Sequence, residues 1–251
     1  MTKIGLSISQ KVPVVFYLLF FILKQERGLN NVRKSYLMFV PELNETNNKP
    51  MTIDALFEKL KHPNPNLRQR AMLELVKVRD ENTIPRLMSI LDQENVLYRR
   101  AAVKALGAIG AEVVPFVVES LLNSDNATVR SSCAKALAQV VANHPEVLMP
   151  EEGIQGLKQA LNDPNPIVNI PAAMTLGEIG SPVFDILVET LHTTENLAVA
   201  VAILNALGSM GDPRAVEVLT KLSNDQSADP YIQESAISAL SRLEMVMKYQ
   251  S

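Results

Sequence analysis

Arginine recurs at one register of the chain. Arg68, Arg99 and Arg130 lie 31 residues apart, with Arg70 and Arg100 beside them. A row of guanidiniums at fixed spacing has two physical uses. Each can bond an Asp or Asn of a neighbouring repeat and tie the fold together. Alternatively, the row can offer forks of N–H donors to carboxylates of a ligand or partner. In the second use Arg68, Arg99, Arg100 and Arg130 are the candidate ligand-binding residues. Three later units place Asn169, Ala200 and Gln233 at or near the same register.

Other chemistry-bearing side chains are sparse. The single cysteine, Cys133, cannot form an internal disulfide or a cysteine-rich metal site, and a reducing compartment is the default. Its register is shared with Ala71, Ala102 and Ala172, so it is expected in the core. His62, His144 and His192 are far apart and have no histidine partner four residues away, so no metal site is expected. The chain has no glycine-rich phosphate loop and no nucleophile elbow, and no pair of carboxylates stands out. No catalytic residue is assigned. Tyr98 and Tyr231 lie near helix starts and are candidate partner contacts.

The elements that must position these residues repeat. Leu60, Leu91, Leu121, Leu161, Leu191 and Leu222 mark the ends of first helices. Leu75, Leu106, Leu137, Leu176, Leu207 and Leu240 mark the centres of second helices. Both ladders step by 30 to 33 residues, broken once by a step of 39 or 40. Within each unit the apolar residues fall at helical spacing, as in Ile53, Leu56, Phe57 and Leu60. Asn64, Asn95, Asn126, Asn165 and Asn196, with Asp229 in the sixth unit, are expected N-caps of the second helices. Leu-Gly-x-apolar-Gly closes three of them, and its last glycine suits a left-handed stop. Pro85, Pro115, Pro182 and Pro213 sit near first-helix starts, where a missing N–H is harmless.

These signals predict an all-α, HEAT-like solenoid of about six helix pairs over residues 51–251. Stacked pairs create an extended concave surface suited to holding another macromolecule. Insertions at Ala142–Pro150 and Ser223–Pro230 are expected loops, the usual place for specific contacts on a rigid scaffold. Only 5% of the chain is aromatic and Trp is absent, although 47% is apolar. That mix favours packed helices over a barrel or sandwich.

Charge is unevenly spread. Residues 51–135 carry 12 basic and 10 acidic side chains, and 136–251 carry 5 and 14. No general nucleic-acid binder looks like this, because such proteins need a basic stripe to displace counterions. Residues 12–23, VPVVFYLLFFIL, would span about 18 Å as a helix. That is short of the roughly 30 Å hydrocarbon core, so no stable membrane span is expected. Residues 1–50 are expected to be an extension outside the fold, with translation beginning at Met51; the alternative is a membrane anchor.

The stretch Asn95-x-x-x-Arg-Arg-Ala-Ala-Val-Lys-Ala-Leu-Gly-Ala-Ile-Gly110 resembles the HEAT-like repeat of the E/F-type phycobilin lyases. Residues 176–180 and 207–211 repeat its ending. The opening Thr52–Leu60 and the Asn64-Pro65 turn are similar too, and the resemblance covers 51–251. Within that family the phycoerythrin-associated Z-type branch is most similar, with the F-type phycocyanin lyase subunits next. The resemblance implies a subunit or chaperone that assists attachment of an open-chain tetrapyrrole to a phycobiliprotein cysteine. It implies no intrinsic cofactor, with a bilin (phycoerythrobilin or phycocyanobilin) as bound substrate and its propionates near Arg99 and Arg130. The implied partners are a second HEAT-repeat lyase subunit and a phycoerythrin or phycocyanin subunit. The implied compartment is the cyanobacterial cytoplasm or plastid stroma. The alternative is a non-catalytic scaffold in phycobilisome assembly or degradation. A HEAT-repeat hydroxylase would need repeated His-Glu pairs, which the chain lacks: Pro follows His62 and His144, and Thr follows His192.

Overall fold

The computed structural model describes residues 51–250. The expectations for residues 1–50 lie outside the described residues. Among the described residues there is no strand. Six helix pairs follow one another: α1 Ile53–Lys59 and α2 Pro65–Val78; α3 Thr83–Ile90 and α4 Val96–Ile109; α5 Val114–Asn123 and α6 Ala127–Asn143; α7 Glu151–Ala160 and α8 Pro166–Ile179; α9 Phe184–Thr193 and α10 Leu197–Ser209; α11 Ala215–Asn224 and α12 Pro230–Gln250. Short 3₁₀ turns at Ala111–Val113 and Ser181–Val183 lead into α5 and α9.

The caps explain where the second helices start. Oδ1 of Asn64, Asn95, Asn126, Asn165 and Asn196 each accepts a backbone N–H two or three residues on, at 2.8–3.1 Å. Asp229 does the same for Tyr231 at 2.8 Å. Each bond satisfies a donor that the first helical turn leaves orphaned. The stops are equally local. Gly110, Gly180 and Gly211 have φ of 98°, 86° and 72°, a region that side chains disfavour.

The other glycine of the closing motif has a different job. A Cβ on Gly107 would lie 2.1 Å from Gln139 Cβ in the next second helix. On Gly177 it would lie 2.6 Å from Ala206 Cβ, and on Gly208 2.7 Å from the Ala239 carbonyl oxygen. These glycines let consecutive second helices touch backbone to backbone.

Packing is asymmetric between the layers. α2, α4, α6, α8, α10 and α12 stack closely one on the next along the whole repeat array. The first helices meet intimately only at α5 and α7, where Gly153 and Gly156 seat against Val114 and Val118. The tightly stacked layer is the shorter, inner side of a curved stack. Between the layers lies one continuous core that includes Leu75, Leu106, Leu137, Leu176 and Leu207, all fully buried. Each such side chain contributes about 1.5–3 kcal/mol over its exposed state. Leu240 in the last pair is only half-buried.

The first insertion is anchored at both ends. His144 Nε2 lies 3.3 Å from the Ala108 carbonyl, and Met149 is buried against Gly153. Between them Leu148 is 84% exposed.

Candidate functional site

The inner wall is built from the exposed stripe of the second helices. Nine residues after each capping residue comes one side chain on this stripe: Leu73, Lys104, Lys135, Met174, Asn205 and Ser238, all exposed. Five residues after the cap come Arg100 in α4, Ile170 in α8 and Val201 in α10.

Cations converge where α4 meets α6. Lys135 donates to Ser131 Oγ at 2.9 Å. Burial lowers the Lys135 ammonium pKa, and the nearby guanidiniums of Arg100 and Arg99 lower it further. No carboxylate figures among the groups that shift it. Three positive groups therefore lie close enough to feel one another, an arrangement that favours an anionic guest. Lys104 adds a fourth cation one turn further along α4. In the next two repeats the wall turns apolar: Ile167 is 47% and Met174 39% exposed, with half-buried Ile170 and Val201 beside them. A guest with carboxylates at one end and a flat apolar body at the other matches this sequence of surfaces.

The arginine row does something more structural. Arg68 Nη1 donates to the carbonyls of His62 at 2.5 Å and Pro63 at 2.8 Å. Arg99 Nη1 donates to Gln93 at 2.6 Å, and Arg130 Nη1 to Ser124 at 2.8 Å. In each case an acceptor lies six residues back, in the turn that follows the first helix. The guanidinium clamps its own turn. Asn169 performs the same task with Nδ2 on the Asp163 carbonyl at 2.9 Å, and Gln233 with Nε2 on the Asp225 carbonyl. Asn169 Oδ1 is buried without a partner.

Of the three arginines, Arg130 is the one that reaches the next repeat. Nε donates to Asp163 Oδ2 at 2.6 Å and Nη2 to Oδ1 at 3.1 Å. The side chains are only 14% and 9% exposed. Burial works against the Asp163 carboxylate, but the hydrogen bonds from Arg130 and the Asn165 amide outweigh it and lower its pKa. A second strut between repeats runs from Asn126 Nδ2 to Asp92 Oδ1 at 2.6 Å.

The structure thus brings Arg99 and Arg100 together at the cationic spot. It leaves Arg68 in the first turn and engages Arg130 fully with Asp163. Tyr98 is half-buried with the Lys61 ammonium 5.1 Å from its ring centre. Tyr231 is 56% exposed on the first turn of α12, at the other end of the array. Neither tyrosine joins the cationic cluster. Lys104 and Lys135, absent from the sequence-level candidates, share a register 31 residues apart, and that register was the available signal.

Burial raises the Cys133 thiol to about 12, so it is a packed side chain with little thiolate. Among the described residues no group of three or more His, Cys, Asp or Glu side chains is placed to hold a metal ion. Among them also, no single helix is long and apolar enough to cross a membrane.

Residues 53–138 and 154–241 match the family of HEAT repeats. The chain is 56% identical over 200 residues to the uncharacterized phycocyanin operon protein Z of Pseudanabaena tenuis (strain PCC 7409), covering 80% of this chain and 99% of that protein. It is 32% identical over 168 residues to the bilin biosynthesis protein CpeZ of Synechococcus sp. (strain WH8020), covering 64% of this chain and 90% of that one. A chain from the complex of CpcE and CpcF of phycocyanin lyase from Nostoc sp. PCC7120 aligns at 21% identity with a TM-score of 0.43, covering 61% of this chain and 96% of that chain. With its repeats, its groove and these two sequence relatives in view, the chain belongs to the HEAT-repeat family that contains phycocyanin operon protein Z and the bilin biosynthesis protein CpeZ.

Proposed function

We propose that this chain is a subunit or chaperone in phycobilin attachment, holding a bilin or its phycobiliprotein acceptor in the groove. The observation that carries it is the cluster of Arg99, Arg100 and Lys135 bordered by an apolar wall. Propionate carboxylates meet Arg100, Lys135 and the unused N–H groups of Arg99. The apolar pyrrole rings lie over Ile170, Met174 and Val201.

In thioether formation the acceptor's cysteine sulfur adds to a bilin double bond, and the thiol proton ends on the neighbouring carbon. Nothing else is consumed, so the helper need not supply a nucleophile. Its contribution is to fix the geometry of two reactants and to exclude wrong addition. That fits a chain whose own thiol is buried. A second HEAT-repeat chain as lyase partner and a phycoerythrin or phycocyanin subunit as acceptor complete the proposed assembly. It works in the cyanobacterial cytoplasm, or the stroma of a plastid.

The test is co-expression with acceptor, partner chain and bilin, reading chromophore yield and absorption spectrum. Arg100→Gln with Lys135→Gln is expected to lower correct chromophorylation about tenfold while the helical circular dichroism and melting curve stay unchanged. Unaltered yield in that variant overturns the placement of the carboxylates. Unaltered yield on omitting the whole chain overturns the function.

One observation favours a second reading, a non-catalytic scaffold acting on phycobilisome assembly or degradation. The loop between His144 and Met149 holds Val147 and Leu148 out to solvent at 49% and 84% exposure. Association with assembled phycobilisomes that is lost on Leu148→Ser, without any bilin effect, would favour that role.

A further inference from the structure

The outward face of α12 is built like an internal seam. Eight residues after the cap, Met72, Ala134, Ala173 and Leu204 are at most 4% exposed and Val103 is half-buried. The residue at that register in α12 is Ile237, 53% exposed. Twelve residues after the cap, Gly107, Gly177 and Gly208 permit close approach. The residue there in α12 is Ser241, also small. The last described helix therefore keeps both marks of a surface that another helix covers. A polar cap is what a solenoid end ordinarily carries.

The pattern around Ser241 is self-complementary. Ile237 and Met245 stand four residues to either side and are 53% and 58% exposed. Glu234 and Lys248 stand seven residues to either side, both exposed. A two-fold axis through Ser241 sets each helix antiparallel to its mate. It places Ile237 against Met245 of the other copy and Glu234 against its Lys248. Isologous pairing of one patch with itself is the commonest closed symmetry.

We propose that this chain self-associates through α12, as an antiparallel pair about Ser241 with a second copy of itself. One helix face buries less than the roughly 800 Å² per partner of a standard stable complex, so the dimer forms in the micromolar range. The groove remains open in both copies.

Sedimentation equilibrium of the full chain tests it. The expected result is a reversible monomer–dimer equilibrium, weakened at least about tenfold by Ile237→Glu with Met245→Glu, with an unchanged melting curve. Glu234→Lys and Lys248→Glu each weaken it, and the two together restore it. Ser241→Cys closes a disulfide between copies on mild oxidation, with Cys133 buried and silent. A chain that stays monomeric at hundreds of micromolar overturns the proposal. So does a dimer indifferent to the two glutamates, or a charge exchange that fails to rescue. A complex with a different HEAT-repeat chain that blocks the Ser241→Cys cross-link also assigns the face elsewhere.

Discussion

Repeats two and three and repeats four and five are the same hairpin with different inner walls. At the groove registers the former carry Arg100, Lys104 and Lys135, and the latter Ile170, Met174, Val201 and Asn205. The turn clamp changes in step, from Arg99 and Arg130 to Asn169 and Ala200. Arg99 leaves spare donors beside the groove once its turn is closed, whereas Arg130 gives its remaining donors to Asp163. Asn169 closes its turn with a neutral amide, and Ala200 offers no side-chain donor at all. One structural task, solved with different residues, thus sets how much positive charge the neighbouring surface holds. The two halves join at α6 and α8, where Arg130 grips Asp163.

That junction is where the comparison breaks most easily. Asp163→Ala strands a guanidinium that is 14% exposed, and is expected to cost about 3 kcal/mol in urea unfolding. The same pair fixes an acid dependence. The folded Asp163 pKa is lowered, so its contribution is present above the ordinary carboxylate range and lost as pH falls through the folded value. Wild-type melting should therefore drop below about pH 4, and Asp163→Asn should flatten that drop. Equal acid sensitivity in the two proteins would remove the pair from the account.

The seam glycines sharpen the contrast next. Gly107→Ala meets Gln139 Cβ and backbone, whereas Gly177→Ala meets the smaller Ala206 at a longer distance. Losses of about 3 and 1 kcal/mol are expected, in that order. A reversed order in thermal unfolding would show that the first half is the more yielding. The caps give the smallest effect. Asn126→Ala removes both an N-cap and the strut to Asp92, and should cost about 2 kcal/mol against about 1 for Asn196→Ala.

Much of this architecture was legible because its determinants are local. The capping asparagines, the positive-φ glycines and the helical spacing of leucines each act within a few residues, so the sequence shows them directly. The groove was harder. Arg68, Arg99 and Arg130 form the most conspicuous row, yet each points at carbonyls six residues back, and only folded geometry reveals that. Lys135 gains its character first from burial and then from two guanidiniums on the preceding helix, a relation between repeats. The expected neighbour-to-neighbour ladder is present at Arg130 and Asp163, while Arg68 and Arg99 stay within their own units. Gly107 and Gly177 read as parts of a stop signal, and their contact with the next helix depends on how tightly the inner layer stacks.

That unequal stacking has a mechanical consequence. Spacing along the inner edge is pinned by glycine contacts at three joints, while the outer helices approach closely only at α5 and α7 and elsewhere are tied by side chains such as Arg86 on Phe57 and Lys158 on Glu189. Bending therefore spreads or closes the outer edge like a fan and leaves the inner arc nearly constant in length. The middle joint, locked on both sides, acts as a stiff keel between two compliant arms. A guest seated across it keeps its footing while the ends swing to admit or release a larger body.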